Sequence, residues 1–282
     1  MTDQADASQR RKEPIATEVK QDLIANPSKN ASSKLPVRSQ QDLQSKVYRF
    51  KSDVELSRKA LIVNNLSQST GEKDSDLMEN NLKQFGFTVR RVNQLTIEDL
   101  QTDLTKESKD MACDTDCFVC VVLALGGSGY IKGFNPNAAA TKKLPIEKLC
   151  EPFQGNNCKP LVMKPKIFIV MSWDKEPGSR LRTDGDMDEP KIFKLPTESD
   201  VLVYVCHMSG LLKQGYDENG SWLIKSLSDV MQKERGNSKR RDFLSLLTIV
   251  NREMANKYKG TELKRSECIP TVTSTLTKLI YL

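Results

Sequence analysis

Histidine is nearly absent from this sequence: His207 stands alone among 282 residues. Any chemistry that needs an imidazole base is therefore restricted to this one side chain. His207 directly follows Cys206, and neighbouring residues of a strand point to opposite faces of a sheet. The two side chains are poorly placed to act as a cysteine–histidine pair. We therefore expect His207 to be a polar residue where a strand gives way to a loop.

Long apolar runs and concentrated positive charge are also missing. No stretch approaches the ~20 apolar residues that a membrane-spanning helix needs, and the N-terminus lacks the basic and apolar regions of a secretion signal. The net charge of +6 is mild and is not gathered into a basic helix or an aromatic-basic pattern. We expect a cytoplasmic protein that binds neither a membrane nor nucleic acid.

The seven cysteines form no recognisable metal-binding pattern. Cys117 and Cys120 have the spacing of half a zinc site, but no second pair follows at a suitable distance. Both lie in a predicted strand, which favours a role in core packing. The glycine-rich residues 126–129 follow that strand, but a phosphate-binding loop needs a helix next, and residues 130–133 predict a hairpin strand instead. We predict no metal and no cofactor.

The chain changes character near Tyr48. Residues 1–47 are polar, show no amphipathic period and are predicted to be disordered. Beyond them, short apolar runs alternate with segments of helical periodicity. The clearest run, residues 167–170 after Pro165, predicts a buried central strand. Such alternation predicts an α/β fold with a mostly parallel sheet and helices on both faces. The crevice of such a sheet lies beyond the carboxyl ends of its strands, where residues 171–174 fall.

Several segments match one known pattern in order and spacing. They are PKIFIVMSWD (165–174), FVCVVLALG (118–126), ALIVNN (60–65), GSW (220–222) and IPTVTSTLTK (269–278). Together they resemble the caspase family of cysteine peptidases, peptidase family C14. The first segment is similar to the caspase stretch that ends in Gln-Ala-Cys-x-Gly. The resemblance covers residues 48–282 and implies the caspase fold, a six-stranded, mostly parallel sheet flanked by helices.

The resemblance fails at the residues that carry caspase chemistry. The cysteine slot holds Trp173 and the histidine slot, 48 residues earlier, holds Leu125. An indole N–H is not a nucleophile, and a leucine side chain accepts no proton. Losing such residues costs on the order of a millionfold in rate. We therefore expect an inactive caspase homologue, a pseudoenzyme. Ser172 adjoins the cysteine slot and, without a base, is expected to be an ordinary hydroxyl.

The slots that bind substrate in caspases are altered as well. Two arginines hold the substrate aspartate in the family. Their slots fall here on Glu72, or on Lys73 if the alignment slips by one residue, and on Gly215, with Lys213 and Gln214 nearby. We expect capture of an aspartyl peptide to be lost, because a glutamate repels a carboxylate.

The resemblance also implies a division of the chain. Residues 179–190 match the intersubunit linker, with Asp184 and Asp188 as positions for processing. The other regions would be a short prodomain (1–47), a large-subunit-like region (48–178) and a small-subunit-like region (191–282).

The terminal segment, residues 269–278, is predicted to form the last strand. Caspases pair two catalytic units through this strand, so the resemblance places Val272, Ser274 and Leu276 at a dimer interface. Our hypothesis is a regulator of apoptosis that forms a heterodimer with an active caspase and activates or blocks it, similar to the decoy caspases of insects. A homodimer is the alternative assembly.

Two other functions remain open at this point. One is a peptidase of cysteine or serine type with an unconventional site that uses Ser172, His207 or a cysteine. The other is a scaffold that binds extended peptides in the altered cleft.

Overall fold

The computed structural model describes residues 45–50, 57–127, 129–135, 142–174, 198–208, 216–217, 219–257 and 269–282. Its strands, in chain order, are β1 (Arg58–Asn65), β2 (Thr88–Asn93), β3 (Cys117–Gly127), β4 (Tyr130–Lys132), β5 (Lys143–Pro145), β6 (Lys166–Trp173), β7 (Val201–Met208), β8 (Tyr216–Asp217), β9 (Gly220–Ser221) and β10 (Thr271–Ser274). Its helices are α1 (Gln68–Gln84), α2 (Ile97–Lys109), α3 (Ile146–Cys150), α4 (Trp222–Arg235) and α5 (Phe243–Lys257). Short 3-10 helices lie at Glu151–Phe153 and Lys159–Leu161.

The central sheet has the strand order β10–β7–β6–β3–β1–β2. The strands from β2 to β7 in this order are parallel to their neighbours, and β10 is antiparallel to β7. The hairpin of β4 and β5 attaches to β3. The predicted fold class, a mostly parallel six-stranded sheet in an α/β fold, is therefore confirmed.

None of the helices in the described ranges is long and apolar enough to cross a membrane.

The predicted central strand is β6, which is buried at every position. Its alternate residues belong to two separate clusters because successive side chains of a strand point to opposite faces. Ile169, Met171 and Trp173 belong to a cluster completed by α1, α4 and α5, on what we call the first face. Phe168 and Val170 belong to a cluster completed by α2, α3 and the 3-10 helices, on the second face.

The last strand is shorter than predicted. The sequence predicted a strand over residues 269–278, but β10 contains only Thr271–Ser274. One further pair of hydrogen bonds joins Thr275 to Asp200 and Val201. The hydrogen bonds between β7 and the last strand stop there because Asp200, just before β7, has a φ of 66°. Backbone in this left-handed region is not extended, so it cannot continue the pairing.

The start of α4 is held against α1. Gly220 has a φ of 104°, and a Cβ at this position would lie 2.5 Å from Oδ1 of Asp74. This close approach lets the backbone N–H of Ser221 donate to Asp74 Oδ1 at 2.7 Å. Ser221 then caps α4, since its Oγ accepts from the N–H of Ile224 at 3.2 Å. Helices α1 and α4 are thus fixed relative to each other near the carboxyl ends of the strands.

Asp200 holds both terminal segments of the described chain at the start of β7. Its carboxylate accepts hydrogen bonds from the hydroxyls of Tyr48 and Thr277, and from that of Ser199 at 3.0 Å. The N–H of Tyr48 donates to the carbonyl of Leu279 at 3.0 Å, so the two segments run side by side. Asp200 therefore connects the beginning and the end of the folded unit.

The ionisation of this group is set by its surroundings. Burial acts to raise the pKa of Asp200, but hydrogen bonds from Thr277, Tyr48 and Ser199 and the charge of Lys166 outweigh it and lower the pKa. Burial, with the hydrogen bond to Asp200, raises the pKa of Tyr48 to about 12. The fold therefore favours an ionised Asp200 beside a neutral Tyr48.

Asp200→Asn should destabilise the protein by about 1–3 kcal/mol near neutral pH, because hydrogen bonds to a charged group are lost. The folded pKa of Asp200 lies below the unfolded value, so its contribution is present above about pH 4 and disappears as the pH falls through the folded pKa. Urea unfolding across the acid range measures this difference. Asp114→Asn, at an exposed position, is the control. A difference that stays constant down to the lowest pH would contradict the assignment.

Candidate functional site at the carboxyl ends of the strands

Leu125 and Trp173 lie side by side at the carboxyl ends of β3 and β6. The parallel register pairs Leu125 with Trp173, and it pairs Trp173 with Met208 of β7. Paired residues on parallel neighbours project from the same face, so these three side chains form one apolar row on the first face. Trp173 is 1% exposed, and Leu125 is half-buried against the same cluster.

The apolar row contains no group that attacks a carbonyl or accepts a proton. The indole N–H of Trp173 only donates a hydrogen bond, and Leu125 has no polar atom. A nucleophile must also reach its substrate, whereas Trp173 is closed off from solvent. The row therefore contributes packing at the end of the sheet where a parallel fold of this kind usually places its chemistry.

A polar contact lies on the second face at the same level of the sheet. Oγ of Ser172 is 3.1 Å from Nδ1 of His207, its partner in the register of β6 and β7. The same hydroxyl donates to the carbonyl of Gly127 at 3.0 Å. Ser172 is fully buried, and His207 is half-buried. A serine and an imidazole at this distance have the separation of a nucleophile and its base.

The sequence did not predict this contact. It predicted Ser172 as an ordinary hydroxyl without a base and placed His207 where a strand gives way to a loop, whereas His207 lies within β7, opposite Ser172. The pair was missed because its members are 35 residues apart and meet only through the strand register. No local pattern in the sequence signals the contact, because the apolar runs 167–170 and 201–206 differ in length and do not fix the register. The expectation that Cys206 and His207 lie on opposite faces is confirmed, since Cys206 belongs to the first face.

The predicted substrate-binding slots are only partly described. Glu72 lies in the first turns of α1, where its carboxylate pairs with Nη2 of Arg91 at 2.9 Å. Arg91 also pairs with Asp76 at 2.7 Å, so the charge of Glu72 is partly offset by a shared arginine. Gly215 lies outside the described residues.

The predicted processing positions Asp184 and Asp188 also lie outside the described residues, as does the linker 179–190. The division of the chain into 1–47, 48–178 and 191–282 therefore stays a prediction.

The two thiols of β3 are unsuited to act as nucleophiles. Cys117 and Cys120 are buried in β3, as predicted from their place in a strand. Burial raises the pKa of Cys117 to about 12 and also raises the pKa of Cys120, so both stay protonated at neutral pH. In the described part of the chain, no three His, Cys, Asp or Glu side chains gather as a metal site.

The predicted interface residues lie on or beside the edge strand β10. Within the described residues, β10 pairs only with β7, so its other backbone edge is left without a neighbouring strand. Val272 is 37% exposed, and Ser274 is also exposed. Leu276, by contrast, packs half-buried against the first-face cluster. Of the three residues, Val272 and Ser274 are therefore the ones presented outward.

Comparison with known proteins decides the family. The caspase domain of peptidase family C14 matches residues 57–281. The chain belongs to the caspase family. It is 27% identical to caspase-7 of Gallus gallus over 283 residues, which cover 92% of this chain and 89% of that protein. It is 32% identical to caspase-3 of Oryctolagus cuniculus over 201 residues, covering 69% of each protein.

A solved caspase structure shows the same fold. The structure of pro-sf-caspase-1 matches with a TM-score of 0.67 and 22% identity, covering 86% of this chain and 100% of that one. The predicted caspase fold is thereby confirmed. The assignment of Leu125 and Trp173 to the family's histidine and cysteine slots stays a prediction, although the register places the two residues together.

Trp173→Ala should lower the free energy of unfolding by about 3–5 kcal/mol, because a fully buried indole is removed from a packed cluster. Chemical denaturation measures the loss. Trp222→Ala is the matched control, since Trp222 is only half-buried and should cost less. Equal losses for the two variants would contradict a packing role for Trp173.

Proposed function

We propose that this protein is a catalytically inactive caspase homologue that forms a heterodimer with an active caspase and regulates it. It would act in apoptosis and in the cytoplasm, in the manner of a decoy caspase. The observation that carries the proposal is the burial of Trp173 at 1% exposure, directly beside Leu125. If these residues occupy the cysteine and histidine slots, the family's chemistry is lost and its shape is retained.

The edge strand β10 is the surface that supports pairing. An edge strand offers unpaired backbone N–H and C=O groups to a second chain. The exposed Val272 adds an apolar contact at this edge. Thr271 and Ser274 in the same strand are exposed and uncharged, so neither would repel an approaching strand electrostatically. A caspase partner that pairs through its own last strand would meet a matching edge, and a homodimer would use the same surface.

Pairing of this kind would change the partner without any chemistry in this chain. An inactive partner that contacts only the active arrangement of a caspase shifts the population toward it. An inactive partner that binds a different arrangement of the caspase, or that takes the place of the second active caspase in a dimer, acts as a decoy. The sign of the effect depends on which arrangement of the partner is bound more tightly.

The contact between Ser172 and His207 favours a second candidate function, a serine-type peptidase. The 3.1 Å separation of Oγ and Nδ1 suits a nucleophile and a base. Two observations weigh against it: Ser172 is fully buried, and its hydroxyl donates to the carbonyl of Gly127. A nucleophile in this position would be neither accessible nor activated.

Co-expression with each caspase of the source organism tests the regulator proposal. We expect the protein to co-purify with at least one of them and to change that caspase's turnover of an aspartyl fluorogenic peptide. If no caspase forms a complex and none changes its rate, the proposal is wrong.

The role of the edge is tested separately with Val272→Lys. A buried charge at the centre of an interface should weaken capture by about tenfold or more. Val162→Lys is the control, because Val162 is also an exposed valine, at 45%, but lies outside β10. If Val272→Lys captures the partner as well as Val162→Lys does, pairing does not use β10.

A further inference from the structure

The hydroxyl of Ser172 lies between a fixed acceptor and an imidazole. The carbonyl of Gly127 is 3.0 Å from Oγ, and Nδ1 of His207 is 3.1 Å from it on the other side. Gly127 is held in place by its pairing with Tyr130 in the hairpin that follows β3. A Cβ at Gly127 would lie 2.5 Å from the Tyr130 ring, so the ring packs directly against this glycine. The acceptor therefore has a defined position.

The supply of protons determines the direction of each hydrogen bond. A carbonyl oxygen only accepts, so the single hydroxyl proton of Ser172 goes to Gly127. The serine oxygen still has a lone pair facing His207, and Nδ1 satisfies it by donating an N–H. In the opposite tautomer, Nδ1 and the carbonyl of Gly127 would both depend on the one serine proton, which cannot serve two acceptors equally well.

We infer that His207 is a positioning residue whose Nδ1–H donates to Ser172, which in turn donates to Gly127. This chain of hydrogen bonds ties the ends of β7, β6 and β3 together on the second face. Ser172 is the middle member of this series of hydrogen bonds. It is not a nucleophile, because it donates its proton to a carbonyl and not to a base. These hydrogen bonds hold the carboxyl ends of the three strands in a fixed arrangement. This inference does not depend on the proposed partnership with a caspase.

The tautomer of His207 is directly measurable. His207 is the one histidine in the chain, so a full-length sample labelled with 15N-histidine gives a single imidazole. At a pH where the ring is neutral, long-range proton–nitrogen correlation should show a protonated Nδ1. Ser172→Ala removes the acceptor of that proton and should move the ring toward the Nε2–H form. A wild-type ring with its proton on Nε2 would overturn the inference, since Nδ1 would then act as an acceptor toward Ser172.

Conservative variants separate a positioning role from simple packing. The amide nitrogen of Asn falls where Nδ1 lies, whereas that of Gln falls nearer Nε2. We expect His207→Asn to keep wild-type hydrogen exchange at the strand ends, and His207→Gln and Ser172→Ala to accelerate it by roughly tenfold, as for the loss of a buried hydrogen bond. The exposed Ser238→Ala is the control. Equal rates in all of these variants would overturn the inference, and if His207→Gln fails to fold, Ser172→Ala and the wild-type tautomer decide.

Discussion

The parallel register of β3 against β6 is the constraint on which the end of this sheet depends. It pairs Leu125 with Trp173 and, through β7, adds Met208 to the same row. A shift of one residue would turn every side chain of a strand to the other face. The large buried residues on both faces make such a shift costly. Packing along the whole length of the strands therefore determines which side chains lie together at their carboxyl ends.

The two faces of the sheet carry different properties at this end. The first face ends in the apolar row, closed against solvent at Trp173. The second face ends in the hydrogen-bonded group of Ser172, His207 and Gly127. Residues 172 and 173 are adjacent in sequence, yet their side chains lie on opposite sides of β6. Ser172 and Trp173 therefore belong to different surroundings, the first to a hydrogen-bonded group and the second to an apolar cluster.

The sequence was most informative where local pattern and burial coincide. The apolar run of β6 predicted a central strand because a strand covered on both faces has no polar side to interrupt it. Contacts between distant residues were not predictable in the same way. Tyr48 and Asp200 are brought together only by the complete fold, as are Ser172 and His207. The last strand was predicted too long because β-propensity over residues 269–278 carried no sign of the left-handed backbone at Asp200, which ends the pairing.

Peptide hydrolysis by the purified protein alone tests the central claim most directly. The chain should be assayed with an aspartyl fluorogenic peptide beside an active caspase as a positive control. The account predicts turnover at the level of the buffer blank, with no change on His207→Ala. Turnover above the blank that disappears in Ser172→Ala or His207→Ala would contradict it, since the second face would then hold a working nucleophile.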